Sequence, residues 1–267
     1  VSVLKINLHQ IKHFIRHFLF ARRKGHGIHS PFAYQLCEEV FYNHDSFYDF
    51  DSLKKIRNQL LADKQKIEIT DFGAGSKTFR TNQRKVKDIA DRGVSTTLQS
   101  ELFYKLINFL NCTNNIELGT SIGLNTLYLA QANKNGKLIS IEGSLQLSAF
   151  ASLLAKKNNI TNIEFIASTF EEALPRVLNS IPTLDFLYID GNHRYAATIQ
   201  YFTQALQKVH NNSVIVLDDI YWSSGMTKAW NEIKQHSRVT LTIDVFYFGM
   251  VFFKKEIIEK KDINLFI

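Results

Sequence analysis

Five acidic side chains and one histidine stand where strand-like runs end. Glu117 opens the segment ELGTSIG, Glu142 closes KLISIE, Asp190 begins DGNH with His193 as its last residue, and Asp218 and Asp219 form the pair in LDDIYW. Each follows β-branched or aromatic residues, so each belongs at the carboxyl edge of a strand, where open α/β sheets bind their ligands. Gly119 and Gly123 bracket a turn, containing Thr120 and Ser121, between a strand and a helix. Such a turn lets backbone approach a ligand closely and aims helix N-terminal amides at it. Glu142, followed by Gly143, ends the next strand and suits accepting hydrogen bonds from both hydroxyls of an adenosine ribose. A dinucleotide site would carry G-x-G-x-x-G to admit a pyrophosphate. Here the acid at Glu117 would repel a pyrophosphate and attract the ammonium of an amino-acid moiety, so the pattern predicts a nucleoside site of another kind.

Asp190, Asp218 and Asp219 follow two strands expected to be neighbours, which would gather three carboxylates at one edge. Such a cluster repels itself and calls for a proton or a cation. Oxygen-only ligands favour magnesium, manganese or calcium over zinc. His193, with an ordinary imidazole pKa of ~6.5, can accept a hydroxyl proton at neutral pH. The alternative is a loop histidine that bonds a neighbour. Ser168 and Thr169, after a third strand, are placed to border an adenine, and Phe170 either joins them or belongs to the core.

The elements that must position these residues alternate from Asn115 onward. Strands at 116–118, 137–141, 162–167, 185–189 and 214–217 are separated by helical spacers, with helices read at 124–133 and 145–157. This alternation specifies a parallel sheet with right-handed crossovers. VTLTIDVF and FGMVFFKK follow with no helix between them, so an antiparallel pair is expected to close one sheet edge. The chain of 267 residues with 45% apolar content can bury one substantial core and a smaller accessory lobe. Cys37 and Cys112 have no motif spacing and read as buried apolar residues, not a disulfide or zinc framework. No long apolar run or signal pattern is present, so a soluble, cytoplasmic protein is expected.

The charge of +7 is uneven. Residues 1–100 hold 17 Lys and Arg against 10 Asp and Glu, whereas residues 101–267 hold 15 of each. We therefore read residues 1–100 as a basic, mainly helical accessory region and 101–267 as the nucleoside-binding domain. Residues 3–23 predict a basic amphipathic helix, 32–42 a second helix with Ser30 capping and Pro31 at its first position, and 49–110 mostly helix. The basic helix fits docking on the sheet domain or pairing with its copy in a homodimer. Nucleic acid, an anionic membrane or an acidic partner remain open for it. His9, His13 and His17 recur at i+4 and could chelate a metal. A second glycine loop, DFGAG from Asp71, lacks a following strand with a terminal acid, and is read as structural or substrate-side, with cofactor contact held open.

The acid and glycine turn at Glu117, Gly119 and Gly123 resembles the first motif of the class I S-adenosylmethionine-dependent methyltransferases, over roughly residues 100–255. The resemblance implies a Rossmann-like, mostly parallel seven-stranded sheet with an antiparallel last strand, plus an N-terminal helical extension. It implies S-adenosylmethionine contacts at Glu117, Gly119, Thr120, Ser121, Gly123, Glu142, Gly143, Ser168 and Asp190. Asp190 with the Asp218–Asp219 pair is similar to the cation-dependent O-methyltransferases of the catechol and caffeoyl-coenzyme A type. That likeness implies Asp190, Asp218 and Asp219 as metal ligands and His193 as the base. His193 departs from the family's common Lys, and Asp219 from its frequent Asn. The expected activity is O-methylation of a small hydroxylated molecule. The alternatives are an RNA methyltransferase, against which stands DGNH in place of a Pro-rich motif, and a noncatalytic nucleoside-binding module working through its basic helix.

Overall fold

The computed structural model describes residues 8–23, 28, 30–69 and 83–267. The loop from Asp71 and the first residues of the expected N-terminal helix lie outside the described residues. The N-terminal part contains α1 (Leu8–Phe20), β1 (Arg22–Arg23), α2 (Pro31–Leu36) with a π-helical turn (Cys37–Phe41), α3 (Phe50–Ala62), β2 (Lys66–Glu68), β3 (Gln83–Lys85), α4 (Val86–Arg92) and α5 (Thr97–Leu110). Ser30 caps α2, its side chain accepting from the Ala33 amide, with Pro31 in the first turn, as expected. Cys37 and Cys112 are buried and free.

Two local expectations are corrected. The first helix stops at Phe20, and Arg22–Arg23 pair in parallel with Leu265–Phe266. The edge strand's unpaired backbone groups recruit those two residues. The segment 49–110 also contains an antiparallel ribbon, β2 with β3.

From Asn114 the chain alternates: β4 (Asn114–Leu118), α6 (Leu124–Ala132), β5 (Lys137–Glu142), α7 (Leu145–Lys157), β6 (Ile163–Ala167), α8 (Phe170–Ser180), β7 (Leu184–Ile189), α9 (Tyr195–Ala205), β8 (Val209–Asp218), α10 (Ser224–Gln235), β9 (Leu241–Asp244), β10 (Phe248–Phe252) and β11 (Lys261–Phe266). The main sheet runs β1-β11-β9-β10-β8-β7-β4-β5-β6. It is the expected mostly parallel α/β sheet with nine strands in place of seven, because β11 and β1 extend one edge. The antiparallel strand is interior: β10 pairs antiparallel with both β8 and β9, so it does not close the edge. Lying between two strands, it satisfies backbone groups on both sides.

Side-chain alternation splits the core into two layers. Phe186, Tyr188, Val214 and Val216 face α5 and α6, and share one cluster with Leu36, Phe50 and Phe103 from the N-terminal part. Leu187, Ile189, Ile215 and Leu217 face α8, α9 and α10 in the other. The boundary expected at residue 100 falls inside α5, whose Phe103 ring lies 4.9 Å from Tyr188. The strand order reverses between β4 and β7, which places a ligand crevice at the carboxyl ends of those two strands.

Candidate active site

The turn after β4 is built by close backbone approach. Gly119 has φ +106°, and a Cβ there would sit 2.0 Å from the Asp190 carbonyl oxygen. Gly123 has φ +82°, and its Cβ would meet Ala151 of α7 at 2.7 Å. Both glycines therefore let the β4 turn lie against the β7 loop and α7, which are protein surfaces and not only a ligand. Thr120 is buried, its hydroxyl 2.6 Å from that of Ser140.

Glu117 is fully buried beneath this turn. Asn125 Nδ2 donates to it at 3.0 Å, Thr126 Oγ1 at 2.6 Å and Ser140 Oγ at 2.7 Å. Burial pushes its carboxyl up to about 7, against the pull of those three donors. The side chain thus ties β4, β5 and the first turn of α6 together. Glu142 ends β5 half-buried, with Oε2 accepting from the Ser121 amide and Oε1 from the Ser144 amide, both at 2.9 Å. Two backbone donors fix the carboxylate plane, and Gly143 links Glu142 to the second of them, Ser144. After β6, the Ser168 amide donates to the Glu142 carbonyl at 3.0 Å, so Ser168 and Glu142 share one rim. Phe170 packs edge-on against Tyr201 with centroids 5.8 Å apart, in the α8–α9 core layer.

The β7 and β8 ends bring the acids together. Asp190 and Asp218 lie side by side, with the buried Tyr188 hydroxyl next to both. Gln99 Nε2 donates to Asp218 Oδ1 at 2.9 Å, and Ser95 Oγ lies 3.2 Å from the Tyr188 hydroxyl. Burial, with Asp219 and Glu117 nearby, pushes Asp190 up to about 7. Asp218 is driven well above the carboxylate range by burial and by Asp190 and Asp219. His193 Nε2 stands 3.7 Å from Asp190 Oδ1 and 3.9 Å from Asp219 Oδ2. Asp219 takes a left-handed conformation (φ 53°), pinned by its amide donating to the Tyr247 carbonyl at 2.8 Å. Beside it opens a cavity of ≈430 Å³ lined by Ile11, Phe14, Tyr221, Trp222, Phe246 and Tyr247, with Gln10 and Asp219 as its polar members.

The cation expectation meets a different arrangement. Among the described residues, no three His, Cys, Asp or Glu side chains are gathered as a metal-coordinating group. Asp190 and Asp218 lie together, Gln99 donates to Asp218, and Tyr188 lies next to both. Of the histidine row, the His9 and His13 rings lie 4.5 Å apart, but each is engaged elsewhere: His9 meets Thr227 at 2.8 Å, His13 stacks on Tyr221, and His17 meets Asp244. Ser95, Gln99 and Tyr188 were absent from the sequence-level site. Tyr188 was legible as an alternating strand residue beside Asp190, whereas nothing local marks Gln99.

Residues 116–220 match the family model described as a methyltransferase domain. That span starts in β4 and ends just after β8, and so takes in the loops after β4, β5, β6 and β7 and the Asp218–Asp219 pair. An uncharacterised protein, R132, of Acanthamoeba polyphaga mimivirus is 30% identical over 129 residues, which are 44% of this chain and 58% of that protein. The chain thus spans little more than half the length of that relative. Solved structures carry the methyltransferase fold further. The O-methyltransferase TomG of Streptomyces achromogenes, in complex with S-adenosylmethionine, superposes with a TM-score of 0.54 at 20% identity, over 60% of this chain and 82% of its own. An O-methyltransferase from Bacillus cereus in complex with S-adenosylhomocysteine gives 0.54 at 17%, over 80% and 94%. The S-adenosylhomocysteine-bound methyltransferase PaMTH1 of Podospora anserina gives 0.55 at 13%, over 80% and 100%. At these identities the likeness shows the fold that the chain shares with them.

Proposed function

We propose that the chain is an S-adenosylmethionine-dependent methyltransferase acting on a hydroxyl oxygen of a small molecule. The observation that carries the reading is the shared rim: a Glu142 carboxylate fixed by two backbone amides, the β4 turn, and the His193–Asp190–Asp219 group on one sheet edge. When bound, S-adenosylmethionine supplies a methyl group on a sulfonium, open to displacement by oxygen. In this reading Glu142 accepts from the ribose hydroxyls, Gly119, Thr120, Ser121 and Gly123 shape the wall, and Ser168 borders the adenine. The fully engaged Glu117 acts by holding that wall in place.

The acceptor occupies the cavity beside Asp219, whose aromatic lining holds an apolar body with its hydroxyl toward His193. As the oxygen–methyl bond forms and the sulfur keeps the electron pair of the broken bond, His193 takes the hydroxyl proton. Asp190 and Asp219 stabilise the resulting imidazolium. Positioning supplies most of the acceleration. The oxygen donors of Asp190, Asp218 and Asp219 suit a hard cation, although no metal-coordinating group of three such side chains is gathered among the described residues.

The test is calorimetric titration of S-adenosylhomocysteine into the protein and into Glu142→Ala. Saturable binding that weakens by at least about tenfold in the variant, as expected on losing a paired charged acceptor, supports the assignment. A flat trace for the parent overturns it. A screen of hydroxylated acceptors follows, with and without chelator. Loss of turnover on chelation, restored by magnesium, would overturn the metal-free account of the acids.

A further inference from the structure

The first helix wears its apolar side outward. His9 and His17 reach inward to Thr227 and to the Leu265 carbonyl, His13 stacks on Tyr221, and Phe14 and Phe18 meet the edges of Phe246 and Phe266. The opposite face presents Leu8, Ile15 and Leu19 at helical spacing, 78%, 53% and 66% exposed. Phe20, at the helix end, is exposed as well. A surface helix ordinarily turns such a stripe to the core, so this face calls for a partner.

Charge identifies it. The first 23 residues carry five Lys and Arg and no Asp or Glu. Lys12 and Arg16, both exposed, fall four positions after Leu8 and one after Ile15 and so border the stripe, with Arg22 and Arg23 just beyond it. An apolar row flanked by cations matches an anionic bilayer, whose headgroups take the charges while acyl chains take the Leu and Ile side chains. A second copy laid on this face would set Lys12 and Arg16 against their own kind, with no acid on the helix to offset them. A nucleic acid would leave the aliphatic row without a partner. None of the described helices is long and apolar enough to cross a membrane.

We propose that the outward face of α1 docks this protein on the surface of an anionic lipid bilayer.

The experiment is flotation of the full chain with vesicles of phosphatidylcholine alone, or containing about 30% phosphatidylserine. Binding should be stronger by about tenfold or more on the anionic vesicles, and should fall as salt rises. Ile15→Glu with Leu19→Glu should cut it at least about tenfold, while Ile15→Leu retains it. Lys12→Gln with Arg16→Gln should weaken it several-fold and flatten its salt dependence. Unchanged circular dichroism and melting in these variants keep the readout on the surface. Equal flotation on both vesicle types, or binding indifferent to the two glutamates, overturns the proposal. So does a concentration-dependent dimer, seen by sedimentation, that Ile15→Glu dissolves, since the face would then belong to a second copy.

Discussion

At the scale of single residues, the site separates side chains that build the wall from those that face the crevice. Glu117 and the two glycines belong to the first group. Replacing Gly119 by Ala puts a Cβ at φ +106° against the Asp190 carbonyl. The cost should be about 1–3 kcal/mol from backbone strain alone, read as a lower urea midpoint, with weaker S-adenosylhomocysteine binding because the β7 loop must move. His193 belongs to the second group. If it takes the acceptor proton, His193→Gln should lower kcat by about 10²–10⁴-fold with KM for the acceptor little changed. A variant that raises KM and leaves kcat intact would make it a binding residue. The acids and His193 were legible because each ends a strand-like run. The partners Gln99 and Ser95 were not, since they come from α5 and the turn before it, 119 residues before Asp218 and 93 before Tyr188, the groups that they meet.

At the scale of elements, α1 depends on Asp244, the last residue of β9. Burial alone would raise this carboxyl, yet His17, the Tyr221 hydroxyl and the Phe246 amide together hold it below the usual range. Trp230 Nε1 adds a fourth donor at 3.1 Å. A carboxyl depressed by folding contributes stability that is fully present above its unfolded value, near ~3.9. That contribution is lost as pH falls through the lower folded value. Urea midpoints measured from pH 6 to pH 3 should therefore fall more steeply for the parent than for Asp244→Asn. The variant should itself start about 1–3 kcal/mol less stable, having given an anionic acceptor to four donors a neutral amide. The histidine row was read from its i+4 spacing, but spacing could not tell which way the row faces. Only the contacts to Thr227, Tyr221 and Asp244 show that it points inward.

For the whole molecule, one core layer joins α2, α3 and α5 to the central strands. Unfolding should then follow a single transition by fluorescence and by circular dichroism, with no separate melting of residues 30–100. Bound S-adenosylhomocysteine at a hundred times its dissociation constant should shift that one transition by about 2.7 kcal/mol. Two separable transitions would show the N-terminal elements to be an independent unit. The sequence by itself determined the alternation of strands and helices, the parallel sheet and the loops that carry the acids, because hydrophobic period and turn residues are local signals. Tertiary structure alone decided that β10 enters between β8 and β9, that β11 and β1 extend the edge, and that Gln99 and Tyr188 join the acids at the β7 and β8 ends. It also decided that the apolar row of α1 faces outward. Each of these depends on pairing between segments distant in the chain, and the free energy of such pairing is set by the surfaces that meet, which no local pattern encodes.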